Sequence, residues 1–351
     1  MEIIFLDCRN LEVLDYGFAN DNFTIVIDNV VPQSSSFQIN KEKVKASVGD
    51  YLVIKDRRIN YIGIIASLDA KEHVVDVKTK DFISILDIKT KLTSYSGNLS
   101  IYLLNLIRSA YITNIDTHQN LPYLTISRDA EIVNGSLTFE ANTIDSISSV
   151  ISTLNKAYSL GVGYSLVYSN GKIAGIDIRI SKCNKGLVLK SDICCISNLQ
   201  ITDSNTQAVN KVTFYPKDEN VTYKSVVNYY LLTDGTITTS NIQSKRQKAI
   251  NASVKTYSDK DYNSLYTTAQ SEMLSSSLEH SITFDYLTEN KIAPLFETLN
   301  IGDFIEFIKP GKTYHTMVTK ITFKGSFHTA NVTLGEYRVS LTEKIKLLSK
   351  R

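Results

Sequence analysis

Residues 48–51 read Val-Gly-Asp-Tyr, and residues 301–304, near the other end of the chain, read Ile-Gly-Asp-Phe. The two stretches are 253 residues apart, counted from Gly49 to Gly302. In each, glycine permits the turn that enters a strand, aspartate bonds to the backbone of its own turn, and the aromatic residue begins an alternating strand. The pattern predicts two equivalent strands, one near each end of the chain.

The match between the two stretches continues beyond the turn. At the same offset of 253 the following positions correspond: Ile54 and Phe307, Tyr61 and Tyr314, Ile64 and Met317, Ile65 and Val318. The simpler alternative is two unrelated strands that each follow a Gly-Asp turn, but the continued spacing favours a duplication. We therefore predict that residues around 44–81 and around 297–334 share one strand order, within two similar small β-barrels at the chain ends.

Composition agrees with a mainly β protein of several domains. The chain has 351 residues, of which 43% are hydrophobic and 21% charged, as in ordinary globular proteins. Twenty Tyr and 13 Phe suit half-buried pleated surfaces. Because 38 basic residues face 36 acidic ones, a globally basic nucleic-acid coat and a polybasic membrane anchor are excluded as default interpretations.

The ends and the cysteines indicate the compartment. The N-terminus has no basic segment and its apolar run stops at Leu6, so we expect no signal peptide. No stretch approaches 18 apolar residues, so no membrane-spanning segment is expected. The four cysteines, at positions 8, 183, 194 and 195, are expected to be free thiols in a reducing cytosol.

An α+β insertion is expected after the first strands. Residues 98–111 read as an apolar helix that Asn98 or Ser100 caps. Apolar residues spaced by 3 and 4 predict a second helix from Ile144 to Tyr158, and residues 137–141 read as a strand. Asn170-Gly171 is a strong hairpin signal.

The remaining chain returns to strands and one more helix. Strands are expected at 211–215 and 229–239, with a turn at Asp234-Gly235, and a third helix near Ser258, where Asp261 completes a capping box. The predicted domains are a first β-barrel at 1–92, an α+β insertion at 93–200, a strand-hairpin and helix region at 201–290, and a second β-barrel at 291–351.

The chain resembles the baseplate hub, or tail-associated hub, of tailed bacteriophages, a family shared with contractile injection machines and type VI spikes. The duplicated Gly-Asp strands carry the resemblance, together with the strand segments 61–67, 77–82, 210–215, 230–238 and 332–338. Members often carry a C-terminal enzymatic or receptor-binding extension. Here the chain ends soon after the last predicted strand, so we expect the hub alone.

The resemblance implies a structural role at the tip of a phage tail. Two similar barrels per chain in a homotrimer make six near-equal units, which can match a hexameric distal tail ring or tail tube on one face. The other implied partners are the tape measure protein, receptor-binding or tip proteins, and DNA as a transient passenger of the channel. The protein is expected in the virion baseplate after synthesis in the cytoplasm of a host bacterium.

Motifs that carry chemistry are absent from the sequence. No His-Glu-x-x-His or Gly-x-Ser-x-Gly occurs, and the five histidines lack ligand spacing. Gly161-Val-Gly163 and Gly311-Lys-Thr read as turns, residues 259–263 as a helix cap rather than a calcium loop, and residues 245–248 as a solvated basic loop. We therefore expect no enzyme and assign no catalytic, cofactor-binding or metal-binding residue.

Two rival functions remain at this point. A receptor- or glycan-binding tail protein would use exposed tyrosines such as Tyr229-Tyr230. A cell-wall hydrolase would need a carboxylate pair, a metal site or a nucleophile, none of which the sequence marks.

Overall fold

The computed structural model describes residues 1–28, 33–56, 58–139, 142–183, 185–203, 209–217, 222, 225–232, 236–240, 252–277 and 280–335. The described strands are β1 (Glu2–Leu6), β2 (Val13–Phe18), β3 (Thr24–Asp28), β4 (Ser34–Ile39), β5 (Tyr51–Ile54), β6 (Ile62–Ala70), β7 (Val75–Asp81), β8 (Lys89–Lys91), β9 (Tyr95–Asn98), β10 (Leu124–Arg128), β11 (Asn134–Leu137), β12 (Ile144–Ser146), β13 (Leu160–Ser169), β14 (Lys172–Lys182), β15 (Lys185–Lys190), β16 (Ile196–Asp203), β17 (Lys211–Pro216), β18 (Val227–Leu231), β19 (Ile237–Thr238), β20 (Ala252–Tyr257), β21 (His280–Leu287), β22 (Phe304–Lys309), β23 (Lys312–Lys324) and β24 (Thr329–Gly335). The helices are α1 (Leu99–Tyr111), α2 (Ile147–Tyr158) and α3 (Leu265–Ser277), with 3₁₀ turns at Phe82–Asp87, Thr117–Gln119 and Asp259–Ser264.

The protein is mainly β, as expected, and divides into two compact units. The first unit comprises residues 1–199 and 284–332, and the second comprises residues 200–283 and 333–351. Among the described residues, no helix is both long and apolar enough to span a bilayer.

The largest sheet contains one strand order twice. Its main path runs β16-β21-β24-β23-β3-β4-β7-β6-β5-β1-β2, and β22 pairs with both β23 and β15. The run β3-β4-β7-β6-β5 therefore recurs as β16-β21-β24-β23-β22. When the five strands of each run are numbered along the chain, both runs have the order 1-2-5-4-3. The shared strand order predicted from the sequence is confirmed.

The turn that enters each repeated strand has the same backbone hydrogen bonds. Gly49 N donates to Ile65 O at 2.9 Å, and 253 residues later Gly302 N donates to Val318 O at 2.8 Å. Both glycines have positive φ, 98° and 85°, which explains why glycine occupies each turn. The pairing that follows is also in register, because Tyr51 faces Ile64 in one hairpin and Phe304 faces Met317 in the other.

Each aspartate of the repeat closes its own turn. Asp50 Oδ2 accepts a hydrogen bond from Ser47 N at 2.8 Å, and Asp303 Oδ2 accepts one from Asn300 N at 2.8 Å. The role that the sequence assigns to these aspartates is confirmed at both ends of the chain. A chance recurrence of a Gly-Asp turn does not explain the matching hydrogen bonds and the shared strand order.

Residues 93–180 cover one face of the first strands. Tyr51 and Ile62, from β5 and β6, share a core with Leu103 of α1, Leu154 of α2 and Ile178 of β14. This core forms because the strands direct alternate side chains away from the first sheet and both helices direct an apolar stripe toward it.

The two helices begin where short polar side chains cap them. Asn98 Oδ1 accepts from Ser100 N at 3.0 Å and Ser146 Oγ accepts from Ser149 N at 3.2 Å. The first cap was predicted, but the start of the second helix at Ile144 was wrong. Ile144 is 64% exposed and belongs to β12, where it faces Lys91 of β8, because the cap at Ser146 prevents an earlier start.

Two further local predictions have different outcomes. Asn170 and Gly171 have φ of 51° and 74° between β13 and β14, so the predicted hairpin turn is confirmed. The strand predicted at 137–141 was misplaced, because β11 ends at Leu137 and pairs with β9. Residues 140–141 lie outside the described residues.

The second unit contains a four-stranded sheet of order β19-β18-β17-β20 with α3 packed on it. Val212, Phe214, Tyr257, Leu265, Ala269 and Met273 form its buried core. The predicted capping box is present, because Ser258 and Asp261 bond reciprocally, although a 3₁₀ turn precedes α3. The turn predicted at Asp234-Gly235 lies outside the described residues.

Candidate assembly surface

The outer side of β6 remains open after its partner β5 ends. β5 pairs with residues 62–64 of β6, and the last bond on that side is the one from Gly49 N to Ile65 O. Residues 66–70 continue along β7 on the opposite side. In the described part of the chain no strand pairs with the side of residues 66–70 that faces away from β7, and we call this side the β6 edge.

The alternating direction of backbone N–H and C=O groups shows which residues of the β6 edge have these groups directed away from β7. Lys71 N donates to Val74 O at 2.8 Å across the turn that joins β6 to β7, so Lys71 is directed toward β7. In an antiparallel pair, successive residues direct their N–H and C=O groups to alternate sides. Ala70 and Leu68 therefore direct these groups away from β7.

The equivalent part of β23 is covered within the same chain. Residues 320–324 of β23 pair antiparallel with residues 24–28 of β3, from Lys320 opposite Asp28 to Lys324 opposite Thr24. We call this pairing the internal joint. It connects the two repeated runs of strands into one sheet.

Aromatic rings close one end of the internal joint. Phe327, which is 5% exposed, packs against Phe23 at 5.2 Å and Phe323 at 5.4 Å between ring centroids. The guanidinium carbon of Arg58 lies 5.2 Å from the Phe327 centroid, and Asp56 pairs with the same guanidinium. The joint thus has an apolar core as well as backbone hydrogen bonds.

A second open edge lies on β16, at the end of the sheet path. Asn198 Nδ2 donates to Asp285 Oδ2 at 2.6 Å and Asn331 Nδ2 donates to Asp285 Oδ1 at 3.0 Å, so the inner side of β16 faces β21. The hydrogen bond from Asn198 lowers the pKa of the Asp285 carboxyl. The opposite side of residues 196–199, the β16 edge, has no strand beside it among the described residues.

Exposed aromatic residues form a patch on β2 that continues toward a groove. Tyr16 and Phe18 are 56% and 64% exposed on one face of β2, and Phe18 lies opposite Glu2 of β1. Glu2 pairs with Lys55, which borders the groove. The groove has a volume of about 350 Å³ and is lined by Ile54, Lys55, Asp56, Ile59, Asn60, Leu166 and Tyr168.

The tyrosines proposed as an exposed binding pair do not form one. Tyr230 is 8% exposed, and Tyr229 packs its ring against Phe214 and Tyr266 at 6.0 and 5.9 Å. That prediction was wrong, because the alternation of β18 turns both rings toward neighbouring side chains rather than into solvent.

One cluster of possible metal ligands was not anticipated from the sequence. Asp7, Cys8 and Asp50 have ligand atoms within 4.8 Å of one another. Their oxygens already serve the backbone, because Asp50 accepts from Cys8 N and Ser47 N, and Asp7 accepts from Arg9 N. Since Asp303 performs the same turn-closing task in the repeat, we interpret the cluster as structural.

The other residues that the sequence singled out are distributed over several elements of the described chain. All four cysteines are free, and burial raises the pKa of the Cys8 and Cys195 thiols. Gly311 has φ of 80° in the turn between β22 and β23, as predicted. The turn predicted at Gly161-Val-Gly163 was wrong, because both glycines lie within β13 and pair with β14. The basic run at 245–248 lies outside the described residues.

The sequence also did not predict that the carboxyl of Asp81 is buried. Asp81 is 4% exposed at the end of β7, and its Oδ1 accepts from Ile83 N at 3.0 Å as the cap of the Phe82–Asp87 turn. Burial raises the pKa of this carboxyl to about 6, although the bonds from Ile83 N–H and the Tyr164 hydroxyl favour the ionised form. An Asp before an apolar run reads as an ordinary cap, and only the fold reveals its burial.

Solved structures of phage tail proteins share this fold over its whole length. A prophage tail protein, gp18, from Listeria monocytogenes has 14% identity and a TM-score of 0.56, with 100% of this chain and 99% of that chain covered. The 43 kDa tail protein of prophage MuSo2 from Shewanella oneidensis has 10% identity and a TM-score of 0.57, covering 95% and 98%. A chain of the phage P2 baseplate in its activated conformation has 11% identity and a TM-score of 0.55, covering 97% and 100%.

These comparisons establish the class of fold. No protein-family model matches the sequence, and no curated protein sequence matches it significantly. The chain nevertheless has the fold of phage tail and baseplate proteins, as the resemblance of its duplicated strands implied.

Proposed function

We propose that the protein is a structural hub at the tip of a phage tail, assembled as a homotrimer and without enzymatic activity. The observation that carries the proposal is the duplicated run of strands, with equivalent glycines at 49 and 302. Three chains with two near-equal units each supply six units around one axis, which fits a hexameric ring or tube. The shared fold with tail and baseplate proteins supports this assignment.

Each repeated run is proposed to close into a small barrel. Beside the first run, Ala19, which directly follows β2, forms an isolated antiparallel bridge with Ile39, the last residue of β4. Asn20 N donates to Gln38 O at 3.1 Å and Asn40 N to Phe18 O at 3.0 Å beside it. These bonds bring β4 to β2 and so support a closed arrangement. The division at residues 92, 200 and 290 remains a prediction within this proposal.

The proposed partners follow from the proposed symmetry. One face of the trimer would join the distal tail ring or the tail tube, and the other face would carry receptor-binding or tip proteins. The central channel would pass the tape measure protein and then DNA. The protein would be synthesised in the cytoplasm of the host and act in the virion.

A mass measurement in solution tests the trimer. We expect a particle of close to three times the 39.3 kDa chain mass by light scattering at micromolar concentration. A stable monomer, even beside its tail partners, would contradict the hub proposal, and a dimer would contradict the six-unit face.

A receptor- or glycan-binding role is the second candidate, now with different residues. The exposed Tyr16, Phe18 and Tyr168 could stack on sugar rings, because all three are more than half exposed. An adsorption assay with the isolated protein on bacterial cells separates the two roles, since a hub is expected not to bind cells by itself.

A further inference from the structure

The internal joint shows how this fold covers an open strand. It pairs residues 320–324 of β23, the fourth strand of the second run, with β3, the first strand of the first run. The equivalent strands in the opposite runs are β6 and β16. These are the strands that carry the β6 edge and the β16 edge.

The two edges are not paired with each other among the described residues. Six strands, β21, β24, β23, β3, β4 and β7, lie between β16 and β6 along the sheet path. A second copy of the chain could cover either edge in the manner of the internal joint.

The backbone of the β6 edge matches the internal joint position by position. Gly325 N donates to Phe23 O at 3.1 Å, so alternation directs the backbone groups of Phe323 and Ile321 toward β3. At the offset of 253 these residues correspond to Ala70 and Leu68, which direct their backbone groups outward. The side chains of Ala70 and Leu68 are apolar, as are those of Phe323 and Ile321.

The charge pattern selects β16 rather than β15 as the complementary edge. Exposed edge strands are commonly protected from pairing by lysine or proline. β15 carries Lys185 and Lys190 at its two ends, whereas the β16 edge reads Ile-Ser-Asn-Leu and the one charge of β16, Asp203, lies at the far end of the strand. On the β6 edge, Asp69 is the one charged residue.

We propose that the β6 edge of one copy pairs antiparallel with the β16 edge of the next copy, repeating the internal joint between chains. This inference rests on the proposed trimer and names its contact. Three internal joints then alternate with three joints between copies. The contact is heterologous, because different surfaces meet, and it closes when the six units complete one turn.

Proline at position 70 tests the backbone part of the joint. Ala70→Pro removes an outward N–H that β7 does not use, so a single copy should still fold. We expect the variant to be a monomer at concentrations tenfold above those at which the unmodified chain is a trimer. Ala70→Ser keeps the N–H and should remain a trimer. Far-UV circular dichroism and thermal unfolding of the monomer check that the proline variant is folded.

Disulfide trapping tests the partner strand. Ala70→Cys is combined in turn with Ile196→Cys, Ser197→Cys and Leu199→Cys, in a background that carries Cys194→Ser. At least one pair should form covalent trimers after mild oxidation, because each chain supplies both halves of the bond. The background with Ala70→Cys alone should not.

The outcomes separate this inference from the hub proposal. If the unmodified protein is a trimer but Ala70→Pro is also a trimer, the β6 edge is not the contact and only the inference falls. If Ala70→Cys bonds instead with Val188→Cys of β15, the partner strand is wrong. If the unmodified protein is a monomer, the hub proposal and the inference both fall.

Discussion

Replacing Asp81 by asparagine should stabilise the protein at pH 7 and leave its stability at pH 4 nearly unchanged. The carboxyl is buried where β7 ends, and burial raises its pKa to about 6 from an ordinary 3.8. Asparagine keeps an oxygen that can accept from Ile83 N and carries no charge to desolvate.

The raised pKa of Asp81 determines how its contribution to stability changes with pH. The folded chain holds the Asp81 proton more tightly than the unfolded chain, so this group favours folding fully below about pH 4. That contribution is lost as the pH rises to about 6 and is absent above it. A difference from 3.8 to about 6, at about 1.4 kcal/mol per pH unit, makes ionised Asp81 cost about 3 kcal/mol.

The gain expected from Asp81→Asn is smaller than this cost. The pKa of about 6 already includes the bonds from the Ile83 N–H and the Tyr164 hydroxyl, but the amide adds a buried NH₂ group whose unmet hydrogen bonds offset up to about 2 kcal/mol. The free energy of unfolding at pH 7 should therefore rise by about 1–3 kcal/mol. At pH 4 the carboxyl is already neutral in the folded chain, so the change there should be close to zero.

Urea unfolding at pH 4 and pH 7 measures this difference. Circular dichroism is the suitable signal, because the chain contains no tryptophan. Asp21→Asn removes an exposed carboxylate and serves as the matched control, with a small change at both pH values. Equal destabilisation by Asp81→Asn at both pH values would refute the reasoning, because it would mean that the cap outweighs the cost of burying the charge.

Two further substitutions test the turn and the internal joint. Gly49→Ala should destabilise the first unit by about 1–2 kcal/mol, because φ at this position is 98°, which is unfavourable for a residue with a Cβ. No atom lies within 4 Å of the added Cβ, so crowding does not contribute. Gly163 is equally open but does not have a positive φ, so Gly163→Ala should not destabilise the protein. Thermal unfolding of the two variants compares them, and equal melting temperatures would contradict the strain argument. Phe327→Ala should cost about 3–5 kcal/mol by urea unfolding, because it empties the centre of the ring cluster at the joint, and the exposed Phe18→Ala should cost little. A similar loss for both phenylalanines would mean that the cluster does not stabilise the joint.

The sequence predicts the parts of this fold that local chemistry determines. Gly49 and Gly302 occupy positive-φ turns, Asn98 caps α1, and Asn170-Gly171 turns a hairpin, and each of these needs only a few neighbouring residues. The duplication was visible for the same reason, because a turn and the register of its hairpin impose residue types at fixed spacing. Ile144 shows the limit of periodicity, since Ser146 caps α2 and leaves Ile144 in a strand.

Contacts between distant residues were not predictable from one sequence. Tyr51 and Tyr123 share a hydrogen bond of 2.8 Å between hydroxyls, and burial raises the pKa of Tyr51 to about 12. The sequence around Tyr51 does not indicate a contact with Tyr123, and the sequence around Tyr123 does not indicate one with Tyr51. The internal joint is a stronger case, because β3 and β23 are almost 300 residues apart and each reads as an ordinary strand. The open edges of β6 and β16 follow only once that joint is known.

The two repeated runs are alike in their strands and unlike in their connections, and this contrast bears on the proposed symmetry. Between β3 and β4 the chain has only residues 29–33, whereas between β16 and β21 it has residues 204–279. If strands make the ring contacts, the same contact occurs at every joint, so the strands of the two runs must be nearly equal in structure. The matching hydrogen bonds of the turns at Gly49 and Gly302 show this similarity. Connections that lie outside such joints are free to differ. In a trimer of this chain, strand contacts would therefore repeat six times while the long connection would occur three times, which agrees with the proposed hub between partners of different symmetry.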